Sequence, residues 1–540
     1  MPNRTASLSA AAAVLLLTWA GGMVHADTDL PHYTAHRAGS PIVIDGRLDE
    51  KAWQNAATFG DFHFPWWKEG KKEQTVARML WDDKHLYVAY DCRDAHVSAV
   101  HTEHDSKVYL DDCVELFTAP NPERPLEYFN IEMNVNRAVL DRHHPDGPGK
   151  PQTPNWTAEG IQIATRVDGT LNDDSDTDRG WVLEVAIPFA CFEPATGRAH
   201  PRDGDVWHLN LNRLGGKTNP QHSQWSPGKT EQPAFHTPET FGRVTFSAKT
   251  PAEQALAELA RAGYVPVADF PQMPADFAPG QCSAVVINSR EEVYLLHRGK
   301  TRPIMCFDRS GKFLHSWGDE LISGAHGMRL DAEENVWVTD IVHHLVYKFS
   351  PAGKLLLALG TADRPGTATS QFDRPADVAF APNGDIFVAD GYGNSRVMRF
   401  DKNGKFLTAW GTPGKGPGEF DVPHCVLLDA DQRVIVGDRE NDRIQVFDMD
   451  GKRLAIWEGF APYGIALDAR QRLFVADARA SQILRVNLSG EVEQRFGSFG
   501  QAPGQFNLPH MLAIDQEGSL YVAEVGGKRL QKFRLIQPVP

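Results

Sequence analysis

The chain has 540 residues, 41% hydrophobic and 23% charged, an ordinary globular balance and long enough for more than one domain. Its formal net charge of −15 argues against a nucleic-acid partner, because phosphate neutralisation needs clustered Lys and Arg. The six Cys include no CxxC pair, which excludes a zinc ribbon and a dithiol redox motif.

In chain order, the first element is a leader. Arg4 precedes an apolar run through Ala20, and Val24-His25-Ala26 supplies a small-residue cleavage site. The pattern predicts a signal peptide over residues 1–26 and an exported protein, periplasmic or secreted. No later segment is apolar and long enough to span a bilayer. Three Cys precede residue 200 and three follow residue 280, so neither half closes a disulfide framework, and Cys92 with Cys113 is a candidate bridge.

Residues 31–247 alternate apolar and polar side chains in runs such as ARMLWDDKHLYVAYDC, DDCVELFTA, YFNIEMNVN and GWVLEVAIPFACF, divided by Pro/Gly/Asn/Asp clusters. Alternation predicts half-buried antiparallel strands and a β-sandwich. Ile44-Asp45-Gly46 with Trp53, Asp112 with Val114-Glu115-Leu116-Phe117, Gly180 to Pro188, and Pro238 to Gly242 together resemble the family 9 carbohydrate-binding modules. The resemblance implies that fold, and more weakly a glycan partner. Trp66 and Trp67 follow Pro65 in a loop-like stretch and are the candidate rings for stacking on a sugar, core or loop anchoring being the alternative. Trp156 and Trp225 are also loop-like, whereas Trp81, Trp181 and Trp207 fall inside strands and read as core.

Residues 250–263 read as a linker helix, with Thr250 as cap, Pro251 in the first turn, Glu253 completing a capping box and Gly263 as the stop. Residues 264–537 then repeat about every 40–50 residues, the period of a propeller blade. Six units are present, with Asp340, Asp390, Asp438, Asp477 and Glu524 at one repeated position. The last unit stops after its third strand, so Tyr264 to Val267 is expected to add the missing outer strand and tie the ring. The VAxD turns, the NxR(I/V)xxF strands and the GKFLxxWG strands resemble NHL repeats. The expected fold class is therefore all-β: a sandwich, a short helix and a six-bladed propeller.

Aligning the units at the start of their innermost strands gives Ser283, His326, Ala376, His424, Tyr463 and His510. His occupies every second unit, so three imidazoles are expected to meet at one point of the central channel. Three His ligands with an open fourth position suit zinc, with iron and copper as alternatives.

HRG, AHG, DGYGNSR, PGEFDVPH, DRENDRIQ and PGQFNLPH resemble the peptidyl-α-hydroxyglycine α-amidating lyases. That resemblance implies zinc on His326, His424 and His510, a catalytic Tyr at Tyr392, and active-site arginines at Arg298 and Arg439. It implies cleavage of a carbinolamide to an amide and glyoxylate, with a small-molecule or peptide substrate. A phenol beside a guanidinium is favoured in its charged form and can take the hydroxyl proton, and an Arg fork suits the substrate carboxylate. The family's structural calcium uses an Asp after the third His; Met511 stands there, so the resemblance does not carry a hub calcium over to this chain. A binding propeller without turnover and a zinc enzyme acting on polysaccharide are the alternative readings.

Overall fold

The computed structural model describes residues 30–536; the leader at 1–26 lies outside the described residues. The fold is all-β, a sandwich-like domain followed by a six-bladed propeller. No helix among the described residues is long and apolar enough to cross a membrane.

The first domain is one continuous eleven-stranded sheet that rolls over on itself. Its order is Val139–His144, Tyr128–Asn134, Cys113–Ala119, Val206–Leu214, Gly242–Ser247, His32–Arg37, Thr75–Trp81, His85–Arg93, Gly180–Pro188 and Gln162–Asp168, with His222–Gln224 paired to Val206–Leu214. His32–Arg37 corrects the all-antiparallel expectation, because it runs parallel to both Gly242–Ser247 and Thr75–Trp81 and joins the two halves of the roll. Val114, Leu116 and Ile131 share a core with Val88, Leu183 and Val185, and Trp81, Trp181 and Trp207 are buried there. Trp225 is buried too, edge-on to Phe59, so it offers no face to a sugar. The candidate bridge is absent: all six Cys are free and buried, and Cys92 lies against the Thr75 hydroxyl.

Residues that carry the family resemblance hold this roll together. The Glu184 carboxylate accepts the Trp53 indole N–H at 2.7 Å and the backbone N–H groups of Asp45 and Gly46 at 3.1 Å each. The Asp112 carboxylate accepts from the backbone N–H groups of Ser98 and Gly216 at 2.8 and 2.7 Å. Hydrogen bonds to a buried charge are each worth about 1.5–3 kcal/mol. Glu184 and Asp112 therefore specify the fold rather than a ligand.

The helix Pro251–Arg261 has the full capping box between Thr250 and Glu253. It packs Leu259 and Ala262 into the core of the last two blades. Each blade is a four-stranded antiparallel sheet. The innermost strands are Cys282–Ile287, Ala325–Leu330, Asp377–Phe380, Pro423–Leu428, Pro462–Leu467 and Pro509–Ile514 for blades one to six. Blade six takes its outer strand from Tyr264–Pro266, which pairs Tyr264 with Leu535 and Pro266 with Phe533. Chain start and chain end of the propeller are thereby fastened in one sheet, and Arg529–Leu535 is paired on both sides.

The repeated acid closes the second strand of its blade and holds the incoming chain. Carboxylates of Asp340, Asp390, Asp438 and Glu524 accept the backbone N–H of Ser323, Asp373, Asp421 and Asn507 at 2.7–2.8 Å. These bonds set where each inner strand begins, and so where its first side chains enter the channel.

Candidate metal centre and active site

His326, His424 and His510 begin the inner strands of blades two, four and six, and are 0%, 0% and 2% exposed. Their ring centroids form a near-equilateral triangle with sides of 4.7, 4.9 and 4.9 Å and rings 75–79° apart. One potential ligand atom from each lies within 4.8 Å of the others.

The other three members of the column orient them. The His326 ring meets the Ala376 carbonyl at 2.7 Å, His424 that of Tyr463 at 2.7 Å, and His510 that of Ser283 at 2.6 Å, each through Nδ1. A carbonyl only accepts, so each Nδ1 carries the proton and each Nε2 presents a lone pair to the axis. Each bond crosses a blade boundary, two to three, four to five and six to one. Burial, then the neighbouring His510 and Arg298, push the proton affinity of His326 far down. Burial dominates for His424 as well, and burial followed by Arg298 lowers His510 to about 3. All three imidazoles are therefore neutral, as metal ligation requires.

Tyr392 follows the end of the second strand of blade three. Its hydroxyl stands 3.0 Å from Nε2 of His326 and 3.0 Å from Nε2 of His424. Arg439 donates to the same oxygen at 2.9 Å. One hydroxyl proton serves only one of two lone pairs, which leaves the triad short of donors. Converging neutral imidazole lone pairs in a buried channel fit a divalent cation, and a tri-imidazole set with oxygen nearby suits zinc.

Steric facts explain DGYGNSR. A side chain at Gly391 would collide with the Pro423 carbonyl, and one at Gly393 with the Asp373 carboxylate. Asp390 then accepts from Asn394 and from Arg396 at 2.9 Å each, which pins the turn that carries Tyr392. DRENDR repeats the device: Asp438 accepts from Asn441 at 3.0 Å and from Arg443 at 2.7 Å. Arg439 thus enters the same mouth of the channel as Tyr392. Its guanidinium lies between two rings, 5.1 Å from Tyr392 and 4.9 Å from Tyr463, and its Nε donates to Glu440 at 2.7 Å. Tyr463 belongs to the six-residue column, yet the repeat pattern alone gave it no role. Arg298 donates from Nε to the Ala325 carbonyl at 3.0 Å, next to His326.

Below the histidines the channel contains no acidic residue at position 511. Met511 is buried in an apolar cluster with Ala284 and Met328. Farther along the same strands Arg329 pairs with Asp377 of the neighbouring blade, with contacts of 2.7 and 3.2 Å, and reaches across the channel to the Ile465 carbonyl of blade five at 3.2 Å. A built-in cation therefore occupies the hub.

In the sandwich, Trp66 is half-buried, donates to the Thr230 carbonyl at 2.8 Å and packs against His222 and Phe235. Trp67 is 42% exposed, with the Lys72 ammonium 4.7 Å above its ring. Beside them is a cavity of about 300 Å³ lined by Tyr109, Glu115, Phe117, Glu132, Phe235 and His236, among others. Sequence reading missed it, although Glu115 sat inside a quoted motif.

Fold and site together define a six-bladed propeller with a tri-histidine centre and a phenol–guanidinium pair in its channel. The family model described as carbohydrate-binding family 9 matches residues 51–246, and one described as a 6-bladed beta-propeller matches residues 370–456. Human NHL repeat-containing protein 3 is 34% identical over 289 residues, covering 49% of this chain and 82% of that protein. The chain belongs to this NHL-repeat family. Drosophila melanogaster peptidyl-alpha-hydroxyglycine alpha-amidating lyase 1 is 32% identical over 254 residues, covering 42% of this chain and 47% of that protein. Mouse peptidyl-glycine alpha-amidating monooxygenase is 31% identical over 303 residues, covering 48% of this chain. The chain spans only 31% of that monooxygenase's length.

Proposed function

We propose that the protein is an exported zinc-dependent lyase that cleaves a peptidyl or N-acyl α-hydroxyglycine to an amide and glyoxylate, with the sandwich as a glycan-binding accessory. The observation that carries the reading is the position of the Tyr392 hydroxyl, in hydrogen-bond range of two converging imidazoles and of Arg439.

His326, His424 and His510 would hold the metal through Nε2. Zinc supplies, when bound, a Lewis acid that polarises a substrate oxygen. Arg439 donates to the Tyr392 oxygen, and that oxygen, as the base, takes the carbinol O–H proton. The electron pair left on oxygen forms the aldehyde C=O as the C–N bond breaks. Tyr392 returns the proton to the departing amide nitrogen, so the reaction is balanced without a further reactant. Arg298, held at Nε by the Ala325 carbonyl and at Nη1 by a 3.4 Å bond to Gln281, keeps Nη2 for the substrate carboxylate. Burial of the triad excludes bulk water, which strengthens each of these charges.

The test is glyoxylate release from α-hydroxyhippurate by the purified full-length protein supplied with zinc. Turnover that stops with a chelator and returns with zinc supports the reading. Zinc bound at the triad without glyoxylate release rejects the lyase and leaves a binding propeller.

A further inference from the structure

The cavity in the sandwich is lined by two buried carboxyl groups, with Tyr109, His222 and His236 as its other polar side chains. Glu132 on Tyr128–Asn134, Glu115 on Cys113–Ala119 and Asn212 on Val206–Leu214 stand side by side across three neighbouring strands. Glu115 and Glu132 line the space, and Asn212 backs it; they are 2%, 5% and 0% exposed. Asn212 donates its amide N–H to Glu115 at 3.1 Å, and Asn130 donates to Glu132 at 2.9 Å. Oε2 of Glu132 and Oδ1 of Asn212 are buried and have no hydrogen-bond partner. Orphaned buried acceptors cost free energy until something supplies donors.

No Lys or Arg lines the cavity. Burial, then the neighbouring Glu132, raises Glu115, and burial raises Glu132 to about 7 against the Asn130 hydrogen bond and the charge of Arg142. A metal ion is a poor answer, since only two carboxylates face the space and the walls are aromatic. Tyr109, Phe117 and Phe235 are suited instead to an organic cation with a ring-shaped body. The volume of about 300 Å³ holds one such ring.

Resting on the proposed glycan role of the sandwich, we infer that this cavity selects an amino sugar: a pyranose with a free ammonium set against Glu115 and Glu132, its hydroxyls donating to the orphaned oxygens. A neutral or N-acetylated sugar brings hydroxyls but leaves the acid pair uncompensated.

The experiment is calorimetric titration of the full-length protein with the glucosamine trimer, the N-acetylglucosamine trimer and cellotriose. The glucosamine trimer is expected to bind at least about tenfold more tightly than either other trimer, and Glu132→Gln to erase that preference. Glu115→Gln serves as the second variant, and melting curves confirm folding of both. Equal or tighter binding of the acetylated trimer or cellotriose overturns the amine selectivity while keeping the glycan role. No binding of any trimer overturns both. A preference that survives both Gln variants overturns the assignment to the acid pair.

Discussion

Removing the metal should loosen the whole ring, not only stop catalysis. Each histidine is a bridge: Nδ1 is bonded to the carbonyl of the next blade, and Nε2 faces the common point. A cation held by three such rings links all six blades, including the closure of blade six onto blade one through His510 and Ser283. Without it, three neutral lone pairs are turned toward one another in a buried space. At free zinc about 1,000 times its dissociation constant, linkage adds about 4 kcal/mol to stability. The propeller from Tyr264 to Leu535 has roughly 270 residues, and an unfolding entropy of about 2.1 cal/mol/K per residue gives a melting shift of about 7 °C. The assay is differential scanning calorimetry of the full-length protein with chelator, then with zinc restored, beside a His326→Ala/His424→Ala/His510→Ala triple variant. The wild-type transition should rise with zinc, and the triple variant should ignore it. A wild-type melting point that zinc moves by less than about 1 °C, while zinc remains bound at stoichiometry, would refute the bridging argument.

Tyr392→Phe keeps the ring beneath Arg439 but removes the oxygen that meets both imidazoles; glyoxylate release should fall about 10²–10⁴-fold with zinc content unchanged. Arg329→Met leaves the buried Asp377 carboxylate without its partner and should cost about 3–5 kcal/mol in denaturant unfolding. Adding Asp377→Leu should recover most of that loss, and failure to recover would show that the hub needs the charge itself. Glu132→Gln should stabilise the protein in mild alkali. Its carboxyl is raised from 4.5 to about 7 by burial, so the folded state keeps a proton that the unfolded chain releases. Stability is complete below pH 4.5 and falls as pH rises through 7. Glutamine removes that loss, worth about 3 kcal/mol at pH 8, and melting curves at pH 5 and pH 8 should show the gain only at the higher pH.

What the sequence made legible was periodic. A repeat of known length fixes angular position, so His in every second unit had to converge once the units closed into a ring. The strand that closes it was legible for a related reason: blade six lacked a strand, and Tyr264–Pro266 was the short extended segment next to the linker helix. Other features depended on contacts that no spacing encodes. His510 is oriented by the backbone carbonyl of Ser283, 227 residues away, and a backbone acceptor leaves no mark on residue identity. Arg439 reaches Tyr392 because the turns after the second strands of blades three and four open at the same end of the channel, a matter of strand direction.

Alternation misled in the sandwich for a physical reason. The period of two in DDCVELFTA and YFNIEMNVN says that two faces differ, not that one of them is wet. Every residue of Cys113–Ala119 and of Tyr128–Asn134 is buried. Val114, Leu116, Phe129 and Ile131 meet the apolar core, while Glu115 and Glu132 line the cavity together with Pro233, Phe235 and His236. A polar face under a lid must be satisfied internally or by a ligand. Elsewhere in the sandwich the buried carboxylates of Asp112 and Glu184 have backbone and indole donors. Glu132 keeps an oxygen with none, and it stands on a cavity wall, where a ligand can supply the donor.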